Sequence, residues 1–156
     1  MSQGIASNAD AEIILKLYEL RTETVMRQAR AWITGEFWPA TAEEFFAVQY
    51  DSGSERNAWL RQVVTYWEMA ASLVLHGALS ADLFVDCNAE PFFILAKLSH
   101  ILPEIHVKLP TYFSKTLRLV DNSQAAATRY EAIKKNVENM RAARSGNSLP
   151  PSQTTR

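Results

Sequence analysis

The stretch Trp59 to Leu75, WLRQVVTYWEMAASLVL, constrains the fold more than any other part of the chain. Its spacing predicts a helix capped by Ser54 and running to about His76. Trp59, Leu60, Val63, Val64, Tyr66, Trp67, Met69, Ala70, Ala71, Leu73, Val74 and Leu75 cover most of its circumference. A helix that is apolar nearly all round must be enclosed by other helices, or water would meet that surface. This segment is therefore the expected central helix of a bundle. No segment shows a convincing strand alternation and no repeat period is present. The expected fold class is all-α: a single bundle of about six or seven helices, with a long first helix and a long last helix.

The first of these is expected from Asn8 or Asp10, as cap, to Gly35. Its stripe is Ile14, Tyr18, Val25, Ala29 and Trp32, with Ile13, Leu17 and Leu20 beside it. Phe37-Trp38-Pro39 breaks the chain, because a proline holds the residue before it in extended geometry. Thr41 and Glu44 have the spacing of a capping box ahead of Phe45, Phe46 and Val48. Short helices are expected from Ser80 through Cys87, and from Asn88 to about Leu102, where Pro103 ends the second. Pro110 opens another helix, Thr111 to Val120, and the last runs from about Gln124 to Arg144 along Tyr130, Ile133, Val137 and Met140. The expected organisation is a flexible start (1–8), a helical domain (9–144) and a polar, disordered tail (145–156).

The polar residues of the central helix, Arg61, Thr65, Glu68, Ser72 and His76, fall on one narrow line. In a concave setting Glu68 could serve as a base and Arg61 could bind an anion. Glu68 and His76 are separated by roughly 12 Å of helix axis, so they cannot share a proton directly. The residues around His76 have simpler work to do. His76 and Gly77 suit a helix C-terminus, Ser80 an N-cap, and Asp82 a first helical turn.

Several chemistries lack their residues. His76, His100 and His106 form no HExxH and no Glu-x-x-His pair, and the one cysteine, Cys87, forms no CxxC, so no metal and no cofactor are expected. Cys87 reads as a small buried hydrophobe. There is no glycine-rich phosphate loop and no GxSxG elbow. No apolar run reaches the length of a membrane span and the start lacks the pattern of a signal peptide, which fits a soluble cytoplasmic protein.

The net charge of -1 gives no global attraction to nucleic acid. The distribution is uneven, however. Gly35 to Leu60 carries five acids and one base, net -4; Gln124 to Arg156 carries six bases and two acids, net +4. Arg129, Lys134, Lys135 and Arg141 are the candidate contacts for an acidic partner or an anion.

The run from Asn57 to Ile105 resembles a family of uncharacterised bacterial all-helical proteins, a domain of unknown function. The resemblance is carried by Tyr66-Trp67-Glu68, His76-Gly77-Ala78-Leu79 and Asp82-Leu83-Phe84. It implies a helical fold and transfers no activity to any residue. Members often bear an N-terminal transmembrane segment, and none is visible here. The expected function is a non-catalytic module acting through protein–protein contacts, with self-association into a homodimer as one form. The alternative is a small-molecule binder or enzyme with its pocket along Arg61, Glu68 and His76. Nucleic-acid binding by the last helix is the least favoured.

Overall fold

The computed structural model of the chain describes residues 5–146, and every regular element among them is a helix. There are nine rather than six or seven: α1 (Asn8–Arg21), α2 (Thr24–Gly35), α3 (Ala42–Gln49), α4 (Glu55–Leu75), α5 (Ala81–Cys87), α6 (Glu90–Leu98), α7 (Leu102–Lys108), α8 (Ser114–Asn122) and α9 (Gln124–Gly146). The central helix is α4, packed between α2 and α8 and touching α3 and α5. Leu60, Val63, Val64, Trp67, Ala70, Ala71 and Val74 are buried on it, while Met69 faces solvent. A second enclosed helix was not expected. In α6, every residue from Pro91 to Leu98 except Phe93 is buried, between α9 and α8. Aromatic edges join the two interiors: Trp67 meets Phe84 at 6.3 Å, and Phe84 meets Phe92 at 6.4 Å.

The expected long first helix is two helices. Thr22 turns its hydroxyl onto the Glu19 carbonyl, at 2.7 Å, and closes α1. Glu23 then accepts from the Val25 and Met26 N–H groups, at 3.1 and 2.9 Å, and opens α2. Side chains that bond nearby backbone compete with helix continuation, and here they win. The break shifts the phase of the apolar stripe. Leu17, Met26, Ala29, Trp32 and Ile33 are buried, whereas the expected stripe members Tyr18 and Val25, and Leu20 expected beside them, are exposed. The cap of α1 is Ser7 rather than Asn8 or Asp10, with Asp10 as its reciprocal capping-box partner.

Two prolines act differently from expectation. α6 stops at Leu98, where the Ser99 hydroxyl bonds the Ala96 carbonyl. Pro103 opens α7, standing in a first turn where its missing N–H is no loss. Pro110 is followed by a turn rather than a helix, and α8 starts only at Ser114. Cys87 is exposed, because α5 turns Phe84 and Val85 inward and leaves Cys87 outside that arc. Of the terminal segments expected to be mobile, residues 1–4 and 147–156 lie outside the described residues, while Ser145 and Gly146 belong to α9.

The caps around His76 form as their residue types dictate. His76 is the C-cap of α4, Gly77 takes the left-handed φ of 73°, and the Ala78 N–H reaches back to the Leu73 carbonyl at 2.9 Å. The Ser80 hydroxyl accepts from the Leu83 N–H, and the Ser80 N–H donates to Asp10 at 2.6 Å, tying α5 to α1.

Candidate functional site

Arg61, Glu68 and His76 share one line of α4, yet they have different surroundings. Glu68 is only 8% exposed. Its Oε1 accepts from the Thr116 N–H and the Thr116 hydroxyl, both at 2.9 Å. Its Oε2 accepts from the Lys115 N–H at 2.9 Å, with Lys115 Nζ at 3.9 Å. The carboxylate thus caps α8 from another helix, and it meets the positive end of the α8 dipole. The residue before α8, Phe113, has no acceptor of its own. Phe113 holds φ at 54°, a left-handed conformation that favours glycine, and so turns the chain sharply into α8.

Arg61 is exposed, and its Nε donates to Asn57 Oδ1 at 3.0 Å. The Asn57 amide in turn donates to the Val48 and Gln49 carbonyls, at 3.1 and 2.7 Å, which fixes the end of α3 against α4. His76 stands apart at the far end of α4, its Nδ1 2.8 Å from the Ser72 carbonyl.

Arg61 and Glu68 meet again as walls of one cleft of about 450 Å³. Val64 and Thr65 of α4 line it with them, as does Gln49 at the end of α3. Lys108, the turn 109–113 and Lys115 complete the lining. His76 is not part of it. Three bases and one acid line the space, and the acid is Glu68, whose oxygens are already engaged.

Two residues of this lining are distinguished by a buried polar atom. Tyr112 OH and Gln49 Oε1 are buried and find no hydrogen-bond partner among the described residues. No other buried side-chain nitrogen or oxygen among those residues shares this condition. The larger groove between α3 and α7, about 560 Å³ and lined by Phe46 and Val107, contains neither atom. Burial pushes the Tyr112 phenol far above its ordinary range, with the Glu68 charge adding to the effect, so the group stays a neutral hydroxyl. Its ring packs edge-on to Phe45 at 5.1 Å, and His106 Nε2 lies 2.8 Å from its carbonyl. Sequence reasoning missed both Tyr112 and Gln49. Neither belongs to a motif, and only the fold brings the end of α3 to the turn before α8.

The basic residues of α9 have varied surroundings. Arg129 donates to the Asp86 carbonyl at 3.3 Å. Arg141 donates to the Lys97 carbonyl at 2.6 Å and the Pro39 carbonyl at 3.3 Å, and Arg144 to the Gly35 carbonyl at 2.6 Å. Lys134 is half-buried and Lys135 exposed. Lys97 itself is 2% exposed. Its Nζ bonds the Ile33 carbonyl at the end of α2 and lies 4.2 Å from the centre of the Trp38 ring. Burial, helped by Arg144 and Arg141, lowers its pKa to about 7. Among the described residues no three histidine, cysteine or acidic side chains are grouped so as to hold a metal ion. No helix among them is long and apolar enough to cross a membrane.

Compared with known proteins, residues 6–123 match the family model described as Domain of unknown function (DUF4760). That span is wider than the Asn57–Ile105 run that carries the sequence resemblance. No curated protein matches the chain. No solved structure matches it either.

Proposed function

This chain belongs to the family defined by the domain of unknown function DUF4760, and on that premise we propose that it is a non-catalytic helical module that binds a small molecule in the cleft between α4 and the start of α8. The observation that carries this reading is that two residues lining one cleft, Tyr112 and Gln49, each hold a buried polar atom with no partner among the described residues. Buried polar groups in folded proteins are nearly always paired, so each exception calls for a partner from outside the chain, a water, an ion or a ligand. The size of the cleft suits a small molecule. Absence of catalysis is supported by Glu68, the one carboxylate of the cleft, which is committed to capping α8 through three accepted hydrogen bonds. We place the module in the cytoplasm, in keeping with a single exposed cysteine that reducing surroundings keep as a thiol.

Native mass spectrometry of gently purified protein tests this. The expected result is a reproducible extra mass that is lost on denaturation and absent from the Tyr112→Phe/Gln49→Ala double variant. A clean mass, together with a fragment screen by NMR that leaves the Tyr112 and Gln49 signals unmoved, overturns it.

A second reading, self-association or protein contact through α1, has its own observation. Leu15 and Tyr18, one helical turn apart, are 68% and 59% exposed, and Val25 at the start of α2 is also exposed. Sedimentation at rising concentration checks it. A dimer that Leu15→Glu dissociates supports it, and a monomer throughout removes the homodimer.

A further inference from the structure

Resting on the cleft as a binding site, we propose that its occupant is a small organic anion, with a carboxylate or phosphate head at Arg61 and Lys115 and an apolar body against Val64, Leu109, Pro110 and Phe113. The charge of the lining points there. Arg61, Lys108 and Lys115 face a single acid, Glu68, whose two oxygens accept three hydrogen bonds from the first turn of α8. A carboxylate satisfied in this way has little left to offer a ligand cation. The three bases are not equivalent. Lys108 Nζ lies over the Phe46 ring, 4.6 Å from its centre, and is turned toward α3. Lys115 keeps Glu68 at 3.9 Å and is half-buried at the cleft wall.

Arg61 is the strongest anchor. Among the described residues its guanidinium makes one hydrogen bond, from Nε to Asn57. That bond fixes the plane of the fork and leaves both Nη groups for an incoming acceptor. A guanidinium fork matches the paired oxygens of a carboxylate or a phosphate. The unpartnered Tyr112 OH and Gln49 Oε1 are the independent sign that the site takes a ligand. A ligand cation would meet Arg61 and Lys115 with repulsion and find no free carboxylate.

Titration calorimetry with four probes of equal chain length tests the class: octanoate, octyl phosphate, 1-octanol and octyltrimethylammonium. We expect at least one of the two anions to saturate at one site, with 1-octanol about tenfold weaker or more and the ammonium silent. Whichever anion binds tighter identifies the head as carboxylate or phosphate. Arg61→Gln is expected to weaken the anion by about tenfold, the loss of a charged hydrogen bond, while Lys16→Gln on the exposed face of α1 leaves binding unchanged. Three results overturn the anion. They are no saturable binding of either anionic probe, equal affinity for the ammonium, and an Arg61→Gln variant that binds as tightly as the parent. The cleft can survive that failure. A neutral probe that saturates, and that Leu109→Glu abolishes, keeps the binding site and rejects only the charged head. If every probe fails and native mass spectrometry shows no adduct, both readings fall.

Discussion

Glu90 and Glu68 each bring a carboxylate among apolar helices, and their surroundings differ in how completely the neighbours are paired. Glu90 opens α6 and takes a forked set of bonds from Arg30 of α2: Nε to both oxygens at 3.0 Å and Nη2 to Oε2 at 2.8 Å. The Trp67 indole N–H adds a bond at 3.0 Å. Arg30 also reaches the Arg21 carbonyl, and Arg21 reaches Asn88. No buried side-chain atom in this knot lacks a partner. Around Glu68 the carboxylate itself is equally well served, but Tyr112 and Gln49 beside it are not. The first arrangement joins four helices and has every buried side-chain atom paired. The second holds its own helix end in place and keeps two groups in reserve. A polar cluster inside a bundle can therefore be fastening or reception, and the pairing of its atoms tells which.

The sharpest way to break this comparison is to cut the knot. Glu90→Ala leaves Arg30 and the Trp67 indole without their acceptor. Removing one partner of a buried pair is strongly destabilising, and allowing for the partial exposure of Arg30 the expected loss is about 3 kcal/mol, read as a lower urea midpoint at unchanged slope.

A smaller effect is expected at Lys97, a buried cation held by carbonyls and rings, with Arg141 and Arg144 as charged neighbours. In the fold its pKa is lowered from 10.5 to about 7. Above that value the folded amine is neutral while the unfolded one still holds its proton. The unfolded state then binds more protons, and stability rises with pH from about 7 toward the unfolded value. Thermal unfolding of the parent is expected to gain roughly 2 kcal/mol between pH 7 and pH 9. Lys97→Met, which keeps the apolar stem, is expected to flatten that rise. A parent curve that is flat or falls over this range refutes the assignment.

Tyr112→Phe is the smallest change and the most discriminating between the two clusters. It removes a hydroxyl that has no partner, so the ligand-free protein is expected to hold its stability or gain up to about 1 kcal/mol. A loss of 2 kcal/mol or more would mean that the hydroxyl is already paired, and the distinction between the clusters would collapse.

Much of this was legible in the chain. The enclosure of α4, the capping at Ser54, Thr41 and Ser80, and the left-handed stop at Gly77 are local decisions, made by residues within one turn of each other. The break between α1 and α2 was also local, at Thr22 and Glu23, but the apolar periodicity on either side hid it. Arg61 and Glu68 were visible as polar interruptions of an apolar helix. Tyr112, Gln49, Arg30, Glu90 and Lys97 were not, because each takes its meaning from a residue far away in sequence. Lys97 looks like any helical lysine until its amine is found against the carbonyl of Ile33. Glu90 looks like a first-turn acid until Arg30 arrives.

The bonds that α9 makes to the Gly35, Pro39 and Lys97 carbonyls also have a consequence in time. A ribosome delivers those acceptors long before it delivers Arg141 and Arg144. The stretch matched by the family ends at 123, one residue before α9 begins, so a nascent chain of that length has every helix from α1 to α8 and still lacks these donors. Until the last turns emerge, the Pro39 and Lys97 carbonyls lack these donors, and the flank of α6 that α9 covers lies open. Of the helices described, the one that covers α6 is thus the last to be made, and the packing of α6 waits for it.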